Sequence, residues 1–498
     1  MDVVLGQLKE RAAGGGGSGG PAEIDTRQLR DKIERAIDIM QQGLVERDTE
    51  VRLLVLAALA GEHVLFIGPP GTAKSEVGRR LSSLIEGRYF ERLLTRFSVP
   101  EELFGPLSMR ALEDDKYVRQ TRGYLPEANV AFIDEVFKAN SAILNTLLTV
   151  LNERQFDNGT QRLKVPLVTL VGASNELPES EELDALYDRF LIRKRVGQVS
   201  SAGASACANA AGLTQLLEYY SGNDSLDLGD AAPPRAAPGA AGALAGAALS
   251  VDPSRRLTLA EIAGVRSEAV RRVKVPQHVI QLVADLRTYL QEKIEPPVYV
   301  SDRRLVKAVA LMQVAAYTNG RDAVTEYDCL LLEHVLWSTP EVAPKIADWL
   351  LAQLAVDDGM KQVDYLLSGI FSRACKALGG SSERVDEIAR EAGQLRGLLA
   401  DKLLQVMVNL EGGFPSLHGN LWLGSGEGDA VATALVPKLN KTRDNVEKLL
   451  FEVATLEVAL KAETDAVTLA NLMPSRWANF IRNSPMEEVK PLGTTTRI

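Results

Sequence analysis

The sequence predicts an α/β fold: an αβα core built on a parallel sheet, a compact helical module after it, and a mainly α-helical C-terminal region. Three observations carry this prediction. Between His63 and Arg195 the short apolar runs His63 to Ile67, Val130 to Ile133 and Val168 to Ala173 alternate with helical segments, as strands buried on both faces do. A Gly/Pro loop closing on Lys74-Ser75 stands between the first of these runs and a helix. Beyond Val275, apolar residues recur at helical spacing.

Taken in order, residues 1–22 read as a flexible N-terminal segment, because the Gly-rich tract Gly14 to Pro21 has no side chains to repay ordering. The α/β core spans 23–198. Its first helix starts at Ile24 and places Leu29, Ile33, Ile37 and Met40 on one face; a second, Val51 to Ala60, is apolar nearly all round and ends at Gly61. Residues 199–270 read as a low-complexity insertion, since Ser200 to Asp252 is rich in Ala, Gly, Ser and Pro and only Leu213 to Tyr220 looks locally helical. The helical module occupies 271–345, with periodic stretches at Val279 to Leu290, Arg303 to Tyr317 and Glu326 to Trp337. In the helical region 346–498, the stripe Val446, Leu449, Val453, Leu456 and Leu460 predicts packing into a bundle core or partner helix.

Composition narrows the function classes. With 498 residues the chain has room for a core and accessory domains. The net charge of −10, with both signs interspersed, disfavours nucleic acid and anionic membrane surfaces and points to protein partners. Cys207, Cys329 and Cys375 are odd in number, widely separated and without a set of histidines at ligand spacing, which fits a reducing compartment better than a disulfide framework or zinc site. No apolar run is long enough for a membrane helix and the start lacks the order of a secretory signal, so a soluble intracellular protein is expected, in the cytoplasm or an organelle such as the plastid.

The chemistry starts at Gly68-Pro69-Pro70-Gly71-Thr72-Ala73-Lys74-Ser75. In a strand-loop-helix setting, backbone N–H groups of such a loop cradle phosphate oxygens, the helix N-terminus adds partial positive charge, Lys74 reaches the terminal phosphates and the Ser75 hydroxyl binds Mg²⁺. The strict pattern has glycine where Ala73 stands, which costs roughly 1 kcal/mol if that position needs positive φ and little otherwise. Val130 to Ile133 then delivers Asp134 and Glu135 to the C-terminal end of a strand, where ligands sit in parallel α/β sheets. Asp134 is expected to hold Mg²⁺ and Glu135 to orient and polarise an attacking water. Asn175, after Val168 to Ala173, brings a neutral amide to the same edge as a sensor of the γ-phosphate or the water.

These residues together resemble the AAA+ superfamily, and within it the RavA-like branch of the MoxR family. The runs Leu94 to Pro106, Gly123 to Ala128, Ile143 to Leu148, Asn152 to Phe156 and Ala173 to Pro178 carry that resemblance, closely over Ile24 to Arg195 and more loosely over Val275 to Trp337. It implies ATP and Mg²⁺ at the subunit interfaces of a homo-hexameric ring, a protein client, and a von Willebrand factor A-domain partner. It also implies that Arg189 is an arginine finger, with Arg193 as a competitor, and that the helical module is a lid whose Arg303, rather than Arg304, contacts the nucleotide of its own subunit. Phe97 to Arg122 is similar to the family's inserted segment, and Arg154 to Pro166 to its hairpin, turning at Asn158-Gly159. The resemblance ends near Leu350: the branch has a small β-rich module where this tail reads as helices.

The expected function is that of a MoxR-type ATPase driving remodelling, maturation or metal loading of a protein client. The rivals are a nucleotide-gated scaffold with little turnover, a magnesium-chelatase-like or Rubisco-activating motor subunit, and a DNA-directed motor, which the acidic balance opposes.

Overall fold

The structure is a computed structural model and describes residues 26–199, 255–355, 359–377, 382–424, 426–462 and 465–483. The expected tether Gly14 to Pro21 and the local helix Leu213 to Tyr220 lie outside the described residues. The chain divides into two compact units, Met1–Leu350 with Asn420–Gly428, and Leu351–Gly419 with Asp429–Ile498.

Unit 1 opens with α1 (Thr26–Gln41), which buries the expected stripe Leu29, Ile33, Ile37 and Met40. The next helix, α2 (Asp48–Ala60), is buried on nearly every side from Val51 onward and stops at Gly61, whose φ of 67° makes a left-handed cap. A five-stranded parallel sheet follows, of β1 (Val64–Ile67), β2 (Tyr89–Leu93), β3 (Val130–Asp134), β6 (Thr169–Ser174) and β7 (Ile192–Arg195), in the spatial order β2-β3-β6-β1-β7. Helix α3 (Lys74–Leu84) packs on β3, where Gly78 has no room for a side chain: a Cβ there would lie 2.6 Å from the Phe132 ring.

The inserted segment forms two single turns, α4 (Pro100–Phe104) and α5 (Met109–Glu113), and exposes Phe97, Met109 and Tyr117. After α6 (Ser141–Glu153) comes the hairpin of β4 (Gln155–Asn158) and β5 (Gln161–Lys164). Its turn centres on Gly159-Thr160, not on Asn158-Gly159 as expected, because Asn158 is drawn into the strand. There its side chain accepts from Arg119 N at 2.7 Å and donates to Arg119 O at 3.1 Å, tying the inserted segment to the hairpin. A short α7 (Glu181–Tyr187) leads to β7.

The expected 199–270 insertion is shorter than the sequence suggests. Leu257 pairs with Ile85 and α8 (Leu259–Arg272) is fully formed, started by a capping box in which Thr258 and Glu261 satisfy each other's backbone N–H. The lid continues with α9 (Gln277–Thr288), α10 (Asp302–Thr318), a 3₁₀ helix over Glu326–His334 where an α-helix was expected, and α11 (Val342–Ala355). The segment Asn420–Gly428, expected within the C-terminal accessory region, belongs to unit 1. Trp422 is buried there, with its indole N–H 2.9 Å from Thr318 Oγ1, while Arg52 donates to Leu421 O at 2.7 Å and Thr49 to Glu427 Oε1 at 2.8 Å.

The regular elements among the described residues of unit 2 are helices, α12 (Gly359–Ala377), α13 (Ser382–Glu411), α14 (Glu427–Lys461, whose first residues lie in unit 1), α15 (Ala466–Leu472) and α16 (Pro474–Asn483), with turns over residues 412–419. The stripe Val446, Leu449, Val453, Leu456 and Leu460 is buried against Leu367, Phe371, Leu395 and Leu399. No helix among the described residues is long and apolar enough to cross a membrane.

Candidate functional site

Strand β1 ends at Ile67, and the chain rises from the sheet at Gly68, whose N–H donates to Ser174 O at 3.0 Å. Glycine is required by close approach, since a Cβ at Gly68 would sit 2.0 Å from Val196 O. The loop crests at Gly71, where φ is 80° and a side chain would meet nothing within 4 Å, so the crest opens outward. Ala73, immediately before α3, has φ 63° and ψ 17°. The position therefore does demand the left-handed region, and the alanine is held there at a cost of about 1–2 kcal/mol.

The Lys74 ammonium folds back under this loop, donating to Gly68 O at 2.6 Å, Pro69 O at 2.7 Å and Asn175 Oδ1 at 3.4 Å. Burial pulls its pKa below the usual lysine range, against which the charges of Asp134 and Glu135 act. Asp134 terminates β3 and accepts from Glu135 N at 3.0 Å. Glu135 itself lies in the left-handed region, at φ 52° and ψ 44°, before a 3₁₀ turn over Val136–Lys138. Its Oε1 accepts from Asn175 Nδ2 at 2.7 Å and its Oε2 pairs with Lys138 at 3.2 Å. Lys74, Asp134, Glu135 and Asn175, delivered by three separate strands, thus meet at one edge of the sheet, as the sequence predicts.

This donor set fits a magnesium-bound triphosphate. Two carboxylates act on a single Lys74 ammonium, and Ser75 follows it in the first turn of α3. Among the described residues no group of three or more His, Cys, Asp or Glu side chains forms a cage for a metal. A site of one carboxylate and one hydroxyl completed by phosphate oxygens and water is how Mg²⁺ is usually held.

The arginines divide. Arg193 is buried, lies 3.5 Å over the Tyr187 ring and donates to Trp337 O at 2.5 Å and Tyr187 O at 2.9 Å, so it joins β7 to the lid and is spent as a finger. Arg304 is likewise occupied, with Phe190 O at 3.0 Å, Leu191 O at 2.8 Å and Val335 O at 2.5 Å. Arg189 keeps only a loose partner, Asp188 at 3.5 Å, and its Nε is buried without a hydrogen bond. Burial lowers its pKa, as does the like charge of Arg303. Arg303 donates to Asn152 and stands with Arg189; the charges acting on Lys74 are Asp134, Glu135 and Arg47. The structure therefore groups Arg303 with Arg189 and Asn152.

Two residues escaped the sequence reading. Arg47, before α2, is buried and donates to Thr72 O at 3.1 Å and Gly197 O at 2.7 Å, bracing the phosphate loop against the segment leaving β7. It also donates to Glu46 O at 2.6 Å, and no motif flags it because the two carbonyls it bridges, Thr72 O and Gly197 O, are distant in sequence. Lys138 was legible only as a cation three residues past Glu135.

Comparison with known proteins places this geometry. A family model described as the MoxR domain in the MoxR-vWA-beta-propeller ternary systems matches residues 31–215, and an AAA lid domain matches residues 278–350. Two uncharacterized proteins of Methanocaldococcus jannaschii are similar: MJ0079, 38% identical over 311 residues, covering 62% of this chain and 71% of its own length, and MJ0812, 37% identical over 316 residues, covering 63% and 74%. Chaperone MoxR1 of Mycobacterium tuberculosis is 27% identical over 341 residues, covering 61% of this chain and 86% of its own. Both domain matches fall on unit 1, one on the sheet that carries the phosphate loop and the other on the helices that follow, and the chain belongs to the MoxR family of AAA+ ATPases.

Proposed function

We propose that this chain hydrolyses ATP to ADP and phosphate in a homo-hexameric ring and uses the cycle to remodel, mature or load metal into a protein client. The observation that carries the reading is the Asn175 amide, which reaches Glu135 at 2.7 Å with one end and Lys74 at 3.4 Å with the other. The cation for the terminal phosphates, the sensing amide and the carboxylate for water therefore form one connected group, which phosphoryl transfer needs more than covalent chemistry. In this reading Gly68 to Ala73 cradle the phosphates, Lys74 leaves its carbonyl partners for them, and Ser75 and Asp134 hold Mg²⁺. The metal supplies charge neutralisation across the phosphate oxygens. Glu135 orients and polarises the attacking water.

Arg189, whose terminal guanidinium nitrogens make only the loose contact to Asp188 at 3.5 Å, is suited to serve a neighbouring subunit. Arg303 stands beside it, which supports a role at the same interface in place of the one within its own subunit. A von Willebrand factor A-domain partner is favoured by the family description, and a client by the chaperone among the relatives. The runs Leu94 to Pro106 and Gly123 to Ala128 favour the RavA-like branch. On the hairpin, Arg162 spends its charge on Asp157 at 2.7 Å, which weighs against DNA as the substrate.

The test is steady-state ATPase activity of the full chain beside Glu135→Gln. Loss of about a hundredfold or more is expected, with ATP binding retained; equal activity in the two would leave a nucleotide-gated scaffold in its place.

A further inference from the structure

Both oxygens of the Glu135 carboxylate are taken. Asn175 holds Oε1 at 2.7 Å, on the side that faces Lys74, and Lys138 holds Oε2 at 3.2 Å. The backbone beneath is a tight device: Glu135 is left-handed, and Lys138 N donates to Glu135 O at 2.9 Å, closing the 3₁₀ turn. The turn thus brings the Lys138 ammonium back over the residue that opens it. Immediately after, Asn140 caps α6 by accepting from Ile143 N at 3.1 Å and donates to Ser98 O at 2.8 Å, so the end of the turn is anchored.

The Glu135 side chain is mostly buried, at 14% exposure, whereas Lys138 is open to solvent at 42%. A pair this exposed adds little stability, typically between zero and 1 kcal/mol. Its geometric effect is larger. A carboxylate tethered at one oxygen swings about that contact, and a second tether on the other oxygen fixes its plane. From the strand tip we infer that Lys138 is a positioning residue for the hydrolytic step: it holds the Glu135 carboxylate in the plane from which its inner oxygen meets water beside Lys74. This inference rests on the role assigned above to Glu135.

The experiment measures kcat and KM for ATP on the full chain carrying Lys138→Met, Lys138→Arg, Glu135→Gln, and Glu135→Gln with Lys138→Met. Lys138→Met should lower kcat about tenfold with KM changed less than twofold, since an interaction that aligns the reacting group is lost while ground-state binding is kept. Lys138→Arg, which keeps the cation within reach, should recover most of the rate. In the Glu135→Gln background Lys138→Met should do nothing more. Unchanged kcat in Lys138→Met overturns the inference, as does a parallel loss of kcat, ATP affinity and melting temperature, or a further loss in the double variant. Full activity of Glu135→Gln is a separate result: it removes the role of Glu135 itself, whatever Lys138 does.

Discussion

At the phosphate-loop edge of unit 1, local preference is overruled repeatedly. Ala73 and Glu135 sit at φ 63° and 52°, and Lys74 has surrendered much of its hydration. In the helical bundle of unit 2 the apolar faces follow helical periodicity, and the departures, Phe414 at φ 55° in the turn after α13 and Pro437 within α14, lie apart from any cluster of charge-handling groups like that around Lys74. Val446, Leu449, Val453 and Leu456 share one buried face. The difference separates two uses of packing energy. Where charge must be handled, the surrounding fold holds residues in conformations they disfavour; where the chain only packs, periodicity suffices.

The largest effect that sharpens this contrast is a cavity in the bundle. Phe371 is 1% exposed at the centre of unit 2, so Phe371→Ala should cost about 3–5 kcal/mol there. Hydrogen exchange should rise over α12, α13 and α14 while β1, β3 and β6 stay protected; equal loosening of the sheet would break the comparison by making the two regions one cooperative unit.

Next is a buried acid in the lid. Burial pushes Glu333 up to about 7, against the attraction of Lys194 and together with the repulsion of Glu427 and Asp348. Its folded pKa lies above the ordinary 4.5, so the native state binds the extra proton between those values. The stabilisation is present below pH 4.5 and is lost as pH rises through about 7. Glu333→Gln should therefore be more stable than the parent at pH 8 by on the order of 2 kcal/mol and nearly equal to it at pH 5. Denaturant titrations at the two pH values check this, and a gain at pH 5 as large as at pH 8 would reject it.

The smallest effect concerns the loop. Ala73→Gly relieves a left-handed alanine and should stabilise unit 1 by about 1 kcal/mol, partly offset by the greater freedom of glycine in the unfolded chain. Unchanged or lower stability would show that the alanine side chain is favoured by its surroundings.

Much of the candidate site was legible because its signals are local. A strand, a Gly/Pro loop and Lys74-Ser75 are contiguous, and Asp134-Glu135 follows directly on an apolar run, so each end of the site announces itself within a dozen residues. Arg303 was less legible. Its place on the first turn of α10 can be read from Ser301, but whether it faces the phosphate loop or Arg189 depends on how the lid lies on the core. Helix α8 was hidden by the low-complexity tract before it, although Thr258 and Glu261 carried the capping signature.

By itself the sequence determined the parallel α/β core, the phosphate loop, the acidic strand tip and the buried stripe of the last long helix, because periodicity and short motifs act between residues close along the chain. Only the tertiary structure decided that Arg47 braces Thr72, that Lys138 and Asn175 share the Glu135 carboxylate, that Arg193 and Arg304 are consumed by backbone carbonyls, and that Trp422 returns to Thr318. Apart from the Lys138–Glu135 pair, three residues apart, those outcomes mostly join groups far apart in sequence, and the choice among many possible partners is made by which polar atoms are left to satisfy once the apolar core has closed.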